Sequence, residues 1–406
     1  MLECDVFATE GIIKAHSGTT NSEEGHGTTV RVNANFDGIT NILAIKLRHI
    51  GDVLLTSPVY RALRTAFPDA RISALVNSGS EETLTGNPYI NEVMVFNRKL
   101  KDMPVIKKYA GELNNLRAIR QRAFDMAIDM TGGDRGAIIS YVSGARVRLA
   151  KDSGKASRWG KNYLYTGRAV LNGMTHVVMQ NLELLQKFSI EPAGYKVEMH
   201  VPEDVTDSVD RLLKGRGISN PDTYVHVHPT SRWFFKCWRD DYMAEVIDWL
   251  LKRGIKVVLT AAPGKREIEK ARGILSLVKE TNKGGLITLL GETSIKALGA
   301  VSKGAAMFFG VDSAPMHIAA SMDTPVVAIF GPSGAFNWGP WDNEKTIQQP
   351  YARRNGIQTS GIHTVIQRDW DCVPCGCDGC DATKKSKCLH DISAKEVTDL
   401  IEQRLF

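Results

Sequence analysis

Short apolar runs alternate with stretches of helical periodicity along this chain, and the alternation occurs twice. Short apolar runs bounded by turn residues are typical of strands buried on both faces, and apolar residues three and four apart are typical of helices that cover a sheet. The first series predicts strands at residues 42–47, 71–76, 93–96 and 126–129 and helices at 53–67, 81–86, 113–122, 135–142 and 176–188, with loop at 146–168.

The alternation restarts after a region rich in Pro and Gly at residues 189–222, which is the predicted linker around one helical piece at 205–214. Strands that alternate with helices form parallel sheets, so we predict an α/β protein with two Rossmann-like domains and a cleft between them. Ser393 and Glu396 form a capping box before a last helix. The second series predicts strands at 224–228, 256–260, 286–290, 305–309 and 326–330 and helices at 242–253, 267–278 and 295–302.

Composition narrows the class of protein. A hydrophobic content of 43%, a charged content of 24% and a net charge of +6 are typical of a soluble globular chain and argue against a dedicated nucleic-acid binder. The sequence shows no apolar run of membrane-span length and no secretory signal, so the expected compartment is the cytoplasm. Residues 1–38 are polar and aperiodic, and we expect a disordered extension there.

Residues 310–317, with the sequence GVDSAPMH, are the most informative segment. They join an apolar strand to a helix of small residues, and a helix N-terminus in such a turn binds anions through its free N–H groups. Asp312 and His317 add side chains for hydroxyls or phosphate, and Ser313 opens the helix. A capping carboxylate and an interior histidine are the alternatives. The segment predicts a binding site for a phosphorylated, hydroxyl-rich ligand such as a nucleotide-sugar.

Residues 229–238, with the sequence PTSRWFFKCW, follow the first strand of the second series. Thr230 and Ser231 can donate to phosphate oxygens, and Lys236 can neutralise a diphosphate. The alternative is an ordinary loop whose aromatic residues pack into the edge of the domain.

Asp52 lies in the first strand-to-helix turn, within the sequence KLRHIGDVL. It could be a general base that takes the proton of an acceptor hydroxyl, or the N-cap of the following helix. Spacing alone leaves both interpretations open.

Five of the seven cysteines fall between residues 372 and 388. Cys372, Cys375, Cys380 and Cys388 could hold a structural zinc ion, and reduced thiols packed in a loop are the alternative. Basic residues cluster at 98–101, 107–108, 117–122 and 146–168, all in the first domain. They suggest a surface for an anionic acceptor or an anionic membrane leaflet, with a solvated face as the alternative.

Four ordered motifs resemble the ADP-heptose:lipopolysaccharide heptosyltransferases, glycosyltransferase family 9, and most closely the heptosyltransferase III branch. The resemblance spans residue 41 to the C-terminus. It is carried by IKLRHIGDVLLTSP at 45–58, PTSRWFFKCW at 229–238, GVDSAPMH at 310–317 and FGPS at 330–333.

The resemblance implies the GT-B fold, with two Rossmann-like domains facing a central cleft and a last helix that returns to the first domain. The implied domains are 39–200 for the acceptor, 201–370 for the nucleotide-sugar, and 371–406 for the Cys-rich loop and C-terminal helix. The implied activity is transfer of heptose, with inversion, from ADP-L-glycero-β-D-manno-heptose to inner-core lipopolysaccharide. The acceptor would be lipid A–Kdo–heptose at the anionic inner face of the cytoplasmic membrane, where the protein would be peripheral.

The resemblance assigns Asp52 as the base and requires no metal or other cofactor for the chemistry. Donor-binding residues would be Thr230, Ser231, Lys236, Asp312, Ser313 and His317, with Glu267 as the nearest acidic candidate for the nucleoside, because residues 261–266 depart from the family pattern. Acceptor-binding candidates are Arg48, His49, Arg98, Lys101 and Arg120. Alternatives are a transferase that uses another nucleotide-sugar and a non-catalytic binding protein of the same fold. The sequence leaves open the acceptor heptose, the linkage and the oligomeric state.

Overall fold

The computed structural model describes residues 35–97, 105–152, 154, 160–218, 223–279, 283–344 and 349–406 and divides into two compact units. Of the described residues, the N-terminal unit comprises those from Asn35 to Gly173 together with Val178–Tyr195, and the C-terminal unit comprises those in Met174–Val177 and Lys196–Phe406. The main division between the two units follows Tyr195.

The N-terminal unit contains a six-stranded parallel sheet in the order β3-β2-β1-β4-β5-β6. Its central strand β1 is an apolar run that is buried on both faces, as a strand between two helical layers must be. The strands are β1 Asn41–Lys46, β2 Arg71–Asn77, β3 Glu92–Phe96, β4 Met126–Asp129, β5 Val147–Lys151 and β6 Gly167–Ala169, and the helices are α1 Ile50–Leu54, α2 Ser57–Ala66, α3 Val105–Arg120, α4 Asp134–Val142 and α5 Val177–Gln186, with 3-10 turns at Glu81–Thr83 and Lys161–Leu164.

Two predictions for this unit were wrong. Strands β5 and β6 lie where the basic stretch 146–168 was expected to be loop, because short strands at the side of a sheet can carry arginines between buried residues such as Val147 and Leu149. The single helix predicted at 53–67 is two helices, since Pro58 occupies the first turn of α2 and fixes a new helix start.

The C-terminal unit has a seven-stranded sheet in the order β12-β13-β11-β10-β7-β8-β9, parallel except for β12. Without β12 the strand order is that of the N-terminal sheet, so both units have the Rossmann order of strands. The strands are β7 Tyr224–His228, β8 Lys256–Ala261, β9 Leu286–Leu290, β10 Met307–Val311, β11 Val326–Ile329, β12 Gln358–Ser360 and β13 His363–Ile366, and the helices are α6 Glu203–Gly215, α7 Asp240–Lys252, α8 Lys265–Leu277, α9 Ile295–Lys303, α10 Ala314–Ser321, α11 Ala335–Trp338, α12 Lys387–His390 and α13 Ala394–Leu405.

The predicted set of strands ended too early, because β13 continues the parallel sheet beyond β11 and β12 closes its edge. Both strands were missed because they are short and polar in sequence, although His363 and Thr364 are buried.

The last helix does not follow the prediction that it returns to the N-terminal domain. Val397 and Ile401 of α13 lie in the core of the C-terminal unit, and the indole nitrogen of Trp238 donates to the Ile392 carbonyl oxygen at 3.0 Å. The predicted capping box is confirmed: Ser393 and Glu396 each bond the other's backbone N–H. The apolar stripe that the sequence shows is buried against α7 because that is where matching apolar surface lies.

Candidate active site

The point where strand order reverses defines the candidate site in the C-terminal unit. Strand β7 pairs with β8 on one side and with β10 on the other, all parallel, so the loops that follow β7 and β10 leave the same edge of the sheet. In open α/β sheets, ligands bind at this edge and at this reversal.

Lys236 and Asp312 meet at this reversal. Lys236 ends a short 3-10 turn after β7, and Asp312 follows β10 directly. The Lys236 ammonium nitrogen lies 2.7 Å from Asp312 Oδ2. Two residues 76 positions apart in the chain therefore form one charge pair, which brings together two of the segments that the sequence singled out.

The pair is partly removed from water, since the side chain of Asp312 is 7% exposed and that of Lys236 is 23% exposed. Burial by itself would raise the pKa of Asp312, but the Lys236 charge, hydrogen bonds from Lys236 and Ser333, and the charge of His317 outweigh it and lower that pKa. Asp312 is thus held as a carboxylate, and Ser333 gains a role at the FGPS turn.

The start of helix α10 completes this side of the site. Ser313 is its N-cap residue and makes no side-chain cap bond, and its hydroxyl donates to the Val311 carbonyl oxygen at 3.2 Å. His317 is buried one turn further along. Gly310 is required before the turn, because a Cβ atom there would lie 2.6 Å from the His228 carbonyl oxygen.

A second polar cluster lies between β7 and β8. The Thr230 hydroxyl donates to Glu267 Oε2 at 3.1 Å, and Thr230 is fully buried. Burial raises the pKa of Glu267, although the hydrogen bond from Thr230 and the charge of Arg232 oppose this. Ser231 is buried beside them and its backbone N–H points to Cys237 Sγ at 3.3 Å. Glu267 and Thr230, two predicted donor residues, are therefore neighbours.

A group of buried polar residues that the sequence did not predict lies behind this cluster. His228 contacts both Thr230 and Thr260, and His226 also contacts Thr260. A polar residue at alternate positions of β7 was the available signal, since buried strands of parallel sheets are otherwise apolar.

In the N-terminal unit, Asp52 lies half-buried in the first turn of α1, at the carboxyl end of β1. The N-cap residue is His49, so the alternative that Asp52 is the N-cap was wrong. The ammonium nitrogen of Lys46, at the end of β1, lies 3.2 Å from Asn181 Oδ1. Burial lowers the pKa of Lys46, and the charge of Asp52 opposes that shift.

Thr131 holds the loop that leads to Asp52. Its hydroxyl accepts a hydrogen bond from the Leu47 backbone N–H at 2.8 Å, and its carbonyl oxygen accepts two from the Arg48 guanidinium at 2.9 and 3.1 Å. Asp129, which receives the Tyr165 hydroxyl at 2.5 Å, bonds the Thr131 backbone N–H at 2.7 Å. The strands β1 and β4 are thereby tied at their carboxyl ends, and the predicted acceptor residue Arg48 is used in this tie.

Of the remaining acceptor candidates that the structure describes, His49 lies near Asp52 and Arg120 does not. His49 is exposed and is the N-cap residue of α1, whereas Arg120 ends α3, shortly before β4, and contacts the Ser143 carbonyl oxygen at 3.5 Å, shortly before β5. Parallel strands begin at the edge opposite to the one where they end, so Arg120 lies away from Asp52. Arg98 and Lys101 lie outside the described residues.

The cysteine segment packs beside the donor loops. The Ser386 hydroxyl donates to the Phe235 carbonyl oxygen at 2.6 Å, and the Gly376 N–H donates to the Pro332 carbonyl oxygen at 2.9 Å. Burial, followed by the charges of Cys375, Cys380 and Cys372, raises the pKa of the Cys388 thiol to about 11. Within the described residues, no three Cys, His, Asp or Glu side chains are arranged to hold a metal ion. A structural zinc ion stays a prediction.

No helix in the described part of the chain combines the length and the apolar character needed to cross a membrane.

Comparison with known proteins is consistent with this geometry. The family model described as glycosyltransferase family 9 (heptosyltransferase) matches residues 113–358. Lipopolysaccharide heptosyltransferase 3 of Escherichia coli K12 is 34% identical over 308 residues, which are 74% of this chain and 85% of that protein.

Two solved structures share the fold. The glycosyl transferase family 9 structure from Veillonella parvula aligns with a TM-score of 0.71 at 19% identity, covering 90% of this chain and 97% of that one. E. coli heptosyltransferase WaaC with ADP aligns with a TM-score of 0.63 at 19% identity, covering 90% of this chain and 100% of that one. The two Rossmann-like units are those of the GT-B fold, and the chain is a glycosyltransferase that belongs to family 9, the heptosyltransferases.

Proposed function

We propose that this chain transfers heptose from ADP-L-glycero-β-D-manno-heptose to the inner core of lipopolysaccharide, with inversion at the anomeric carbon. The observation that carries the proposal is the Lys236–Asp312 pair beside the N-terminus of α10, at the reversal of the C-terminal sheet. Family membership and the identity to a lipopolysaccharide heptosyltransferase support the choice of sugar and acceptor.

On the donor side, the Lys236 ammonium and the positive end of the α10 helix dipole neutralise the diphosphate. Asp312 holds Lys236 in place and, as a carboxylate, accepts hydrogen bonds from sugar hydroxyls. When the glycosidic bond breaks, negative charge grows on the departing phosphate, and the same cation and helix end stabilise it. Glu267 and Thr230 hold the nucleoside part of ADP, the nucleotide present in the E. coli WaaC structure.

On the acceptor side, Asp52 takes the proton of the attacking heptose hydroxyl. Asp52 is half-buried at a strand end, where a carboxylate can accept a proton late in the transfer. The tie through Thr131 fixes the loop before Asp52, so that the carboxylate need not be ordered at the moment of reaction.

We expect no metal ion in the chemistry, because Lys236 and the start of α10 supply the positive charge that a metal would otherwise supply. Transfer measured with and without a strong chelator should therefore proceed at the same rate. A loss of transfer that added divalent cations restore would contradict this part of the proposal.

We also propose that the lipid-linked acceptor is met at the anionic inner face of the cytoplasmic membrane. The basic residues that the sequence concentrates in the N-terminal unit motivate this proposal. Part of their charge is balanced within the unit, because Arg122 and Arg71 share Glu92 and Arg168 pairs with Asp152 at 3.3 Å. Binding to vesicles with and without anionic lipid would test this partner.

Mass spectrometry of transfer products tests the function. Purified chain is combined with ADP-heptose and with core acceptors that carry zero, one or two heptoses. A mass increase of one heptose on an acceptor is expected. Binding of ADP without an increase on any acceptor would favour another nucleotide-sugar or a non-catalytic protein, and calorimetry with ADP and UDP would separate these alternatives.

A further inference from the structure

Buried side chains form a hydrogen-bonded series behind the donor loops. Ser302 Oγ lies 2.9 Å from His226 Nδ1, and His226 Nε2 lies 2.8 Å from Thr260 Oγ1. The same hydroxyl lies 2.8 Å from His228 Nδ1. Ser302, His226 and Thr260 have no exposed surface, and His228 is 2% exposed. The series therefore runs from helix α9 across strands β7 and β8 without meeting water.

The series continues to the candidate nucleotide site. His228 Nε2 lies 3.4 Å from Thr230 Oγ1, and the Thr230 hydroxyl donates to Glu267 Oε2 at 3.1 Å. Glu267 is half-buried at the start of α8, so it is the member of the series that can reach a ligand.

The number of protons available on each group determines which atom donates and which accepts at every hydrogen bond of the series. Thr260 has one hydroxyl proton and two imidazole neighbours, so it donates to one ring and accepts from the other. A carboxylate can only accept hydrogen bonds, so the Thr230 hydroxyl donates its one hydrogen bond to Glu267. Thr230 Oγ1 must therefore accept a hydrogen bond from His228 Nε2. His228 Nδ1 then accepts from Thr260, His226 Nε2 donates to Thr260, and His226 Nδ1 accepts from Ser302.

Neutral rings are required for this order, since a doubly protonated imidazole has no acceptor nitrogen. Burial lowers the pKa of His228 to about 3 and lowers the pKa of His226 well below its ordinary value, so both rings are neutral at physiological pH.

We propose that His226, Thr260 and His228 are positioning residues, locked with the proton on Nε2 of both rings, that orient the Thr230 hydroxyl and the Glu267 carboxylate toward a nucleotide. The inference deepens the proposed function and rests on it. With Oε2 held by Thr230, the other oxygen of Glu267 is directed to the ligand. A carboxylate fixed in this way suits a pair of neighbouring hydroxyl groups, such as those of a ribose.

The ring protons provide a readout independent of enzyme activity. Nitrogen NMR of chain labelled at histidine distinguishes a protonated from an unprotonated ring nitrogen, and the His226→Gln and His228→Gln variants assign the signals. We expect the proton on Nε2 in both rings. A proton on Nδ1 of either ring would overturn the proposed order.

Thr260 provides the binding test because it breaks the series without touching Glu267. Thr260→Val keeps the shape and removes the hydroxyl, and Thr260→Ser keeps the hydroxyl and removes a methyl group. We expect ADP affinity to fall about tenfold in Thr260→Val, because a Glu267 carboxylate that is no longer oriented loses about one hydrogen bond to the nucleotide. In Thr260→Ser the affinity should stay near that of wild type. Thermal unfolding of both variants monitors stability, since Thr260→Val leaves two buried ring nitrogens without a partner.

A cycle with Glu267→Ala shows whether Thr260 acts through Glu267. We expect Thr260→Val to have no further effect on ADP affinity once Glu267 is alanine, because coupled residues are not additive. Equal losses in both backgrounds would mean a general structural role and would overturn the proposal. Wild-type chain that shows the expected ring protons but binds no ADP would overturn the nucleotide assignment, whereas tight ADP binding without heptose transfer would count against the proposed reaction alone.

Discussion

The two units share one order of strands but use the reversal point differently. In the C-terminal unit the reversal holds a charge pair, Lys236 with Asp312, beside a helix N-terminus. In the N-terminal unit it holds a set of hydrogen bonds around Thr131, to the Leu47 backbone, the Arg48 guanidinium and Asp129, with Asp52 in the adjoining helical turn. The same order of strands therefore presents a charge pair at a helix N-terminus in one unit and a carboxylate beside a hydrogen-bonded loop in the other.

The two units also differ in how far nearby opposite charges offset the burial of a charged side chain. Asp312 has a lowered pKa because Lys236 offsets its burial. Lys46, which is fully buried in the other unit, has a lowered pKa because burial outweighs the charges of Asp52 and Asp129. The buried carboxylate of the C-terminal unit thus has a cation that offsets its burial, whereas the charges near the buried Lys46 offset its burial only in part.

The largest effect is expected from Asp52→Asn. Loss of a general base slows transfer by about 10²- to 10⁴-fold, and ADP affinity should be unchanged because Asp52 belongs to the other unit. Transfer rate and ADP calorimetry on one preparation measure both quantities. A transfer rate within a few-fold of wild type would remove Asp52 from the chemistry.

Lys236→Met tests ADP binding at the C-terminal unit. Removal of one charge-assisted contact should weaken ADP binding by roughly 10- to 100-fold, and the buried Asp312 left without its partner should lower the melting temperature. Lys256→Met is the matched control, since Lys256 lies at the amino end of β8 and its ammonium bonds the Gly217 carbonyl oxygen at 2.6 Å. Equal ADP affinities in the two variants would contradict the role of Lys236.

Thr131→Val tests the hydrogen bond that holds the loop before Asp52. Without the hydroxyl, the Leu47 N–H loses its partner and the loop that leads to Asp52 is less firmly placed, so transfer should slow on the order of tenfold with ADP affinity unchanged. Thr131→Ser keeps the hydroxyl and should behave like wild type. The account fails here if the Ser and Val variants are equally slow.

The smallest effect concerns stability alone. Glu396 caps α13 and pairs with Arg368, and the Arg368 bonds hold its pKa at about 2, below the ordinary value of 4.5. A lowered carboxyl pKa stabilises the fold above the ordinary value, and the contribution is lost as the pH falls toward 2. Glu396→Gln should cost about 1 kcal/mol near neutral pH, since the side chain is 38% exposed, and progressively less in acid.

Asp399→Asn is the control for that measurement, because Asp399 pairs with an exposed lysine on the same helix. Its effect on the free energy of unfolding should stay below about 0.5 kcal/mol. A cost for Glu396→Gln that does not shrink in acid would contradict the assigned ion pair.

Local features made much of this molecule predictable. Asp312 follows β10 directly, and Asp52 and Lys236 lie in the segments that follow β1 and β7, so the rule that ligands bind beyond strand ends pointed to all three segments. Contacts between distant residues were not accessible in this way. Lys46 meets Asn181 across 135 positions and Leu47 meets Thr131 across 84, and single side chains of these types carry no signal of their partner.

We propose that the two reversal points have separate roles: Lys236 and Asp312 hold ADP, and Asp52 takes the proton of the acceptor. The most direct measurement determines ADP affinity and heptose transfer together for wild type, Asp52→Asn and Lys236→Met. We expect Asp52→Asn to keep the ADP affinity of wild type and to lose heptose-transfer activity. We expect Lys236→Met to lose ADP affinity. Parallel loss of affinity and transfer in Asp52→Asn would contradict it.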